Sequence, residues 1–241
     1  KMKHLLLALL FVPLVASAQK QFKSLRFIPL GELPAWEEEL IDGVRVQKDP
    51  PPGSLPPKAI CIPNGEEDMQ STDLVLRQPS KALKLSAELA ALRIHEGKQP
   101  TGSPLINAKA PPSKYNLGVL FRDNATMSWD SPKLLMLSDD ARALPAGSIR
   151  FVNVSDSKAI VKVGKGKAEQ IEPGKTLVTE LKEGPNNVIV GYYEGTKVRM
   201  IYQNTVRIVA GLRVQAFLYK GQGKKSGDRV KFLHIPESTP K

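Results

Sequence analysis

The chain of 241 residues carries one cysteine and three histidines. A reactive thiolate needs a neighbouring base or a helix N-terminus to lower its pKa. Cys61 lies in Ala59-Ile60-Cys61-Ile62, and neither His95 nor His234 is near it in sequence. It therefore reads as a small buried apolar residue in a strand. A blue-copper site needs two histidines, a cysteine and an axial ligand in close array, and zinc draws on the same supply. No metal or other cofactor is expected. Gly174-Lys175-Thr176 ends like a phosphate-binding loop, but Glu169 stands where the first glycine belongs. Gly164-Lys165-Gly166-Lys167 lacks the third glycine and the helix of a dinucleotide fingerprint, and reads as a hairpin turn. No nucleotide is expected.

Glu37-Glu38-Glu39 and Glu66-Glu67-Asp68 lack the spacing of a calcium loop and read as solvated charge runs. A Gly-x-Ser-x-Gly elbow is absent. A hydrolase built on two carboxylates is the weakest reading left open, because a sequence does not show which carboxylates face each other. Trp36 and Trp129 each read as core or loop-packing residues. The expectation is a non-catalytic protein.

Charge is the stronger lead. Residues 19–146 are neutral overall, whereas residues 147–241 carry 17 basic and 8 acidic side chains. Lys158, Lys162, Lys165 and Lys167, then Lys197, Arg199, Arg207 and Arg213, then Lys220, Lys224, Lys225, Arg229 and Lys231 recur along the C-terminal part. Tyr192, Tyr193, Tyr202 and Tyr219 lie among them. Alternate residues of a strand share a face, so basic residues interleaved with tyrosine could track an anionic polymer. The competing reading is a solvated face whose lysines guard sheet edges.

The elements that must carry these residues are strands. Ile149–Val154, Ala159–Val163, Thr176–Leu181, Val188–Tyr193, Lys197–Tyr202, Thr205–Val209, Leu212–Tyr219 and Val230–Ile235 are β-rich, with Gly, Pro, Asn or Ser between them. In the N-terminal part, Leu25–Leu30, Gly43–Gln47, Ala59–Ile62, Asp73–Arg77, Leu117–Phe121 and Lys133–Leu137 are candidates. Asp49–Gly53 with Pro56-Pro57 is an extended loop, since proline lacks the ladder N–H. Gly97–Lys114 is a second long loop or an edge segment. Ser86–His95 fits a short capped helix or a strand equally well.

Lys1 and Lys3, the apolar run Leu5–Val15 and Ala16-Ser17-Ala18 together fit a signal peptide of residues 1–18. An exported chain, periplasmic or secreted, is expected. The charge shift, and prolines falling 15 to residues 19–146 and 4 to 147–241, place a domain boundary at Leu144-Pro145-Ala146-Gly147.

Three segment pairs recur in the same order. Leu25–Gly31 matches Ile149–Ser155, Val119–Asp123 matches Ala216–Lys220, and Lys133–Leu137 matches Lys231–Ile235. Two readings stay open: a degenerate internal duplication, or the likeness any two alternating strands share. Ala146–Ser155 (A-G-S-I-R-F-V-N-V-S) with the Pro173–Thr176 turn resembles exported bacterial β-sandwich domains of uncharacterised function. The resemblance covers about ninety residues. It departs at Ala159–Val163, where those domains carry an aspartate-rich strand. It implies an envelope location and a sandwich fold, and supplies no activity.

The expected fold is all-β: two antiparallel, immunoglobulin-like sandwiches over residues 19–146 and 147–241. The expected function is a non-catalytic envelope or extracellular protein whose basic C-terminal domain contacts an acidic glycan, cell wall, lipopolysaccharide or headgroups. An exported protein meets these before nucleic acid. The alternative is an assembly or scaffold protein that recruits a protein partner to its sheet edges. The candidate contact residues are Lys158, Lys162, Lys165, Lys167, Lys197, Arg199, Arg207, Arg213, Tyr192 and Tyr202.

Overall fold

Alternating or continuous apolar runs decide the strands, and a computed structural model describes them over residues 21–65, 68–223 and 226–240. The leader reading at residues 1–18, and Lys224 and Lys225, lie outside the described residues. Ten strands precede the expected boundary: β1 Phe22–Leu30, β2 Glu38–Ile41, β3 Val44–Gln47, β4 Ala59–Pro63, β5 Met69–Asp73, β6 Leu83–Ser86, β7 Ala91–Glu96, β8 Ile106–Lys109, β9 Tyr115–Phe121 and β10 Lys133–Ser138. Eight follow it: β11 Ser148–Asn153, β12 Ala159–Val163, β13 Glu169–Ile171, β14 Thr176–Glu180, β15 Gly184–Glu194, β16 Lys197–Ile208, β17 Leu212–Lys220 and β18 Val230–Ser238.

The fold is all-β and sandwich-like. In the N-terminal half, sheet β10-β9-β1-β6 packs on sheet β5-β4-β7-β8 around Leu25, Phe27, Ile60, Ile62, Leu92 and Ile94. In the C-terminal half, sheet β18-β17-β11-β14 packs on sheet β13-β12-β15-β16 around Phe151, Val161, Val190, Tyr192 and Leu218. The strand order of the two halves is the same throughout, with β1 matching β11 and β10 matching β18. Shared order and shared register carry the duplication further than strand likeness would.

The register also corrects one segment pair. Arg26 faces Leu117 and Arg150 faces Gln215, so Val119 is equivalent to Phe217 rather than to Ala216. Gly118 then corresponds to Ala216. A methyl group at Gly118 would come within 2.7 Å of the Phe27 ring, its neighbour in the ladder.

The sheets are not purely antiparallel. β1 runs parallel to β9, and β11 runs parallel to β17. Each parallel pair lies at the centre of a sheet covered on both faces, as parallel strands usually are. The second cover is the other half. Ile28, Leu30, Leu117 and Val119 meet Val152, Val154, Phe217 and Tyr219 in a third core. The molecule therefore has four stacked sheets. Ile28 and Val152, Leu30 and Val154, Val119 and Phe217 are equivalent positions, so one surface of the repeat packs on itself, as in an isologous dimer contact.

Some local readings change. Asp73–Arg77 is not a strand: the strand is Met69–Asp73, and the chain then turns, with Arg77 at φ 64° donating its N–H to the Pro29 carbonyl. Ser86–His95 is no helix: Ser86 ends β6, Ala91–His95 lie in β7, and residues 87–90 connect the two strands. Lys197–Tyr202 and Thr205–Val209 are one long strand, β16. Gly97–Lys114 contains the edge strand β8. Trp129 is buried in the core, but Trp36 is 71% exposed and packs in no core. The proline loop is tied down at Gly53, whose carbonyl accepts the Trp129 N–H at 2.7 Å.

A fragment of residues 147–241 would expose Val152, Val154, Phe217 and Leu233 to water. It is expected to aggregate, or to bind more of a hydrophobic dye per molecule than the full chain does, as gel filtration and dye fluorescence would report.

Candidate functional site

The ten basic and tyrosine candidates do not form one face. Arg213 is fully buried and Tyr192 is 1% exposed, so neither belongs to a surface. Tyr192 packs in the core between the C-terminal sheets. Tyr202 packs against Phe232 with the rings tilted by 46° and their centroids 4.6 Å apart, where the sheet edges β16 and β18 approach each other. Burial raises its pKa. Polarity alone could not separate these residues from exposed ones, because alternation assigns a residue to a face and not to water.

Arg213 belongs to a buried charge cluster at one end of the contact between the central sheets. Its guanidinium binds Asp139 at 2.8 Å and Glu237 at 2.9 Å, and donates to the Asp139 and Leu144 carbonyls. Arg26 binds the same two acids at 2.7 and 2.6 Å. Arg150 binds Asp139 at 3.2 Å and donates to Gln215 and the Ser138 carbonyl. Gln215 donates to both acids. Arg26 and Arg150 are equivalent positions of the two halves. So are Asp139 and Glu237, each six residues past the Lys133 or Lys231 that opens the matching segment. Tyr115 and Leu117 stand where the second half has Arg213 and Gln215.

Burial, with the repulsion of Arg213 and Arg26, brings Arg150 down to about 10 despite the attraction of Asp139. Burial alone would push Glu237 up, but hydrogen bonds from Arg26 and Gln215 and the charges of Arg26 and Arg213 hold it below its ordinary 4.5. The cluster joins the halves, and its donors and acceptors are spent on each other.

The remaining candidates lie on the outer sheet β13-β12-β15-β16 and sort to its two ends. At one end, Lys158 pairs with Glu172 at 2.8 Å and Arg199 with Glu194 at 2.9 Å. At the other, Lys162 and Arg207 are exposed on the outer face. Lys165 and Lys167 occupy the β12–β13 turn, which Gly164 pins to the Asn187 carbonyl. Arg207 stands opposite Pro185, two residues from Asn187 on β15. Lys162, Lys165, Lys167 and Arg207 thus gather at one end, and none has an ion-pair partner among the described residues. Lys197, the first residue of β16 and opposite Glu194, is exposed as well.

The fold brings Cys61 opposite His95 across β4 and β7, a pairing that sequence distance concealed. The thiol is fully buried, and burial raises its pKa, which disfavours the thiolate. Pro173-Gly174 is a turn between β13 and β14, with Lys175 N–H on the Glu172 carbonyl. Among the described residues no cluster of three metal-ligating side chains occurs, and no helix is long and apolar enough to cross a membrane. No protein-family model and no curated protein matches the chain.

Replacing Asp139→Asn leaves three guanidinium groups with a single carboxylate. Removing one partner from a buried ionic network costs about 3–5 kcal/mol. The urea midpoint is expected to fall accordingly. The depressed pKa of Glu237 means that its contribution is fully present above pH 4.5 and is lost as pH falls through the lower, folded value. The stability gap between the parent and Glu237→Gln should therefore narrow on acidification below pH 4.5, as urea titrations at a series of pH values would show.

Proposed function

We propose that the chain is an exported, non-catalytic binding protein whose C-terminal half contacts an anionic envelope polymer: an acidic glycan, cell wall, lipopolysaccharide or headgroups. One observation carries the reading. Lys162, Lys165, Lys167 and Arg207 converge at one end of the outer sheet without ion-pair partners among the described residues, while Lys158 and Arg199 at the other end are neutralised. Unpaired cations on a rigid face attract a polyanion over about one Debye length, roughly 8–10 Å in ordinary buffers. The contact set is thereby narrowed from ten residues to these four, with Lys197 outside the group. The leader-like residues 1–18 support export.

The test is co-sedimentation of the full chain with isolated cell envelopes at low and high salt. The chain is expected to pellet at low salt and release at high salt. The quadruple variant Lys162→Glu, Lys165→Glu, Lys167→Glu, Arg207→Glu should lose at least tenfold in binding. Equal pelleting of parent and variant would overturn the reading.

A further inference from the structure

A buried donor without an acceptor is costly, because its hydrogen bond to water is lost and not replaced. Arg122 and Trp129 each hold one. Among the described residues, Arg122 Nη2 and the indole Nε1 of Trp129 are buried and make no hydrogen bond. The two residues are only 5% and 3% exposed. They also lie together. A Cβ on Gly31 would meet Trp129 Cζ2 at 3.3 Å and Arg122 Nε at 3.6 Å, so both side chains border the space over Gly31.

The repeated strand order shows which counter-charge this position takes in the other half. Pro29 pairs with Leu120 as Asn153 pairs with Leu218, so Glu32 is equivalent to Asp156 and Arg122 to Lys220. In the second half cation and carboxylate form an ion pair, Lys220 Nζ to Asp156 at 2.6 Å. In the first half they do not. Glu32 Oε2 accepts the Gln222 N–H at 2.8 Å, and its Oε1 lies 3.6 Å from Lys231 Nζ. Burial therefore outweighs the attraction of Glu32 and holds the Arg122 pKa below its ordinary value. A guanidinium nevertheless keeps its charge in a protein.

Arg122 borders a cavity of about 10 Å³ between the halves, walled by Leu30, Phe121 and Met127 on one side of the sequence and by Tyr219 and Lys220 on the other. That volume takes one particle of roughly water size. It is too small for phosphate, sulfate or a sugar. Lys220 is already neutralised by Asp156, which leaves Arg122 as the unpaired cation of the wall. A water molecule would accept one hydrogen bond there but would not balance the charge. A small anion does both.

We infer that this cavity binds one monovalent anion of halide size, held by the Arg122 guanidinium at the junction of the two halves. The site stands apart from the outer-sheet cations and takes a different ligand from theirs. Its walls come from β1, the end of β9 and the end of β17, so a bound ion ties the two halves together at the end of the central contact away from Arg213. An ion that binds only the folded chain raises its stability with the logarithm of ion concentration, once that exceeds the dissociation constant.

Thermal unfolding of the full chain in sodium chloride against sodium gluconate, at equal ionic strength, tests it. The midpoint is expected to rise with chloride and not with gluconate, which is too large for the cavity. Arg122→Met should weaken chloride binding about tenfold or more, as loss of a charge-assisted hydrogen bond does. Glu32→Gln removes a carboxylate that repels the ion and should tighten binding severalfold, which decides the matter if Arg122→Met does not fold. In crystals grown with sodium bromide, an anomalous peak should lie within contact distance of Arg122 Nη2. Equal midpoints in the two salts, a chloride response unchanged in either variant, or no bromide at Arg122 would overturn the inference.

Discussion

Everything in the arrangement depends on the two central sheets burying their faces against each other. β1, β9, β11 and β17 are covered on both sides and are buried along most of their length, and the polar Arg150, Arg213 and Gln215 among their residues are paired within the charge cluster. Ile28, Leu30 and Val119 form one side of that contact and Val152, Val154 and Phe217 the other. Burying such side chains contributes about 1.5–3 kcal/mol each relative to exposure. Neither half has an alternative cover for this surface. The two sandwiches are consequently a fused pair, and the outer sheets are left free to carry function.

The charge cluster at the end of this contact follows from the repeated strand order of the two halves. A repeat that packs on itself brings equivalent positions together. Arg26 and Arg150 therefore meet, as do Asp139 and Glu237. Two like-charged arginines would not sit together in a low-dielectric interior without the acids between them. The halves differ at two of these positions: the second has the donors Arg213 and Gln215 where the first has Tyr115 and Leu117. A buried ionic network contributes little net stability against an apolar replacement, but it penalises any other register of the two sheets. That suits a contact between similar strands, where slippage is the main alternative.

The outer surfaces divide the remaining work. One end of the C-terminal outer sheet gathers cations without ion-pair partners among the described residues, the other exposes Val198 and Met200, and the N-terminal half extends an acidic apolar hairpin.

The sequence by itself determined the strands with clear alternation or apolar runs, the all-β class, and the turns at Gly164–Gly166 and Pro173–Gly174. These are local properties, set by side-chain period and by backbone preference at Gly and Pro. The Asp42-Gly43 dipeptide also carried a hairpin signal, although β2 itself, Glu-Glu-Leu-Ile, does not alternate. Only the tertiary structure decided that Arg213 and Tyr192 are interior, that Trp36 is exposed, that Cys61 faces His95, and that β1 runs parallel to β9. Each of these depends on which surface another segment covers, and that segment lies tens to hundreds of residues away. Arg213 and Arg207 both lie on β-strands of the basic C-terminal half, yet a partner sheet takes one into a buried ionic network and leaves the other in water.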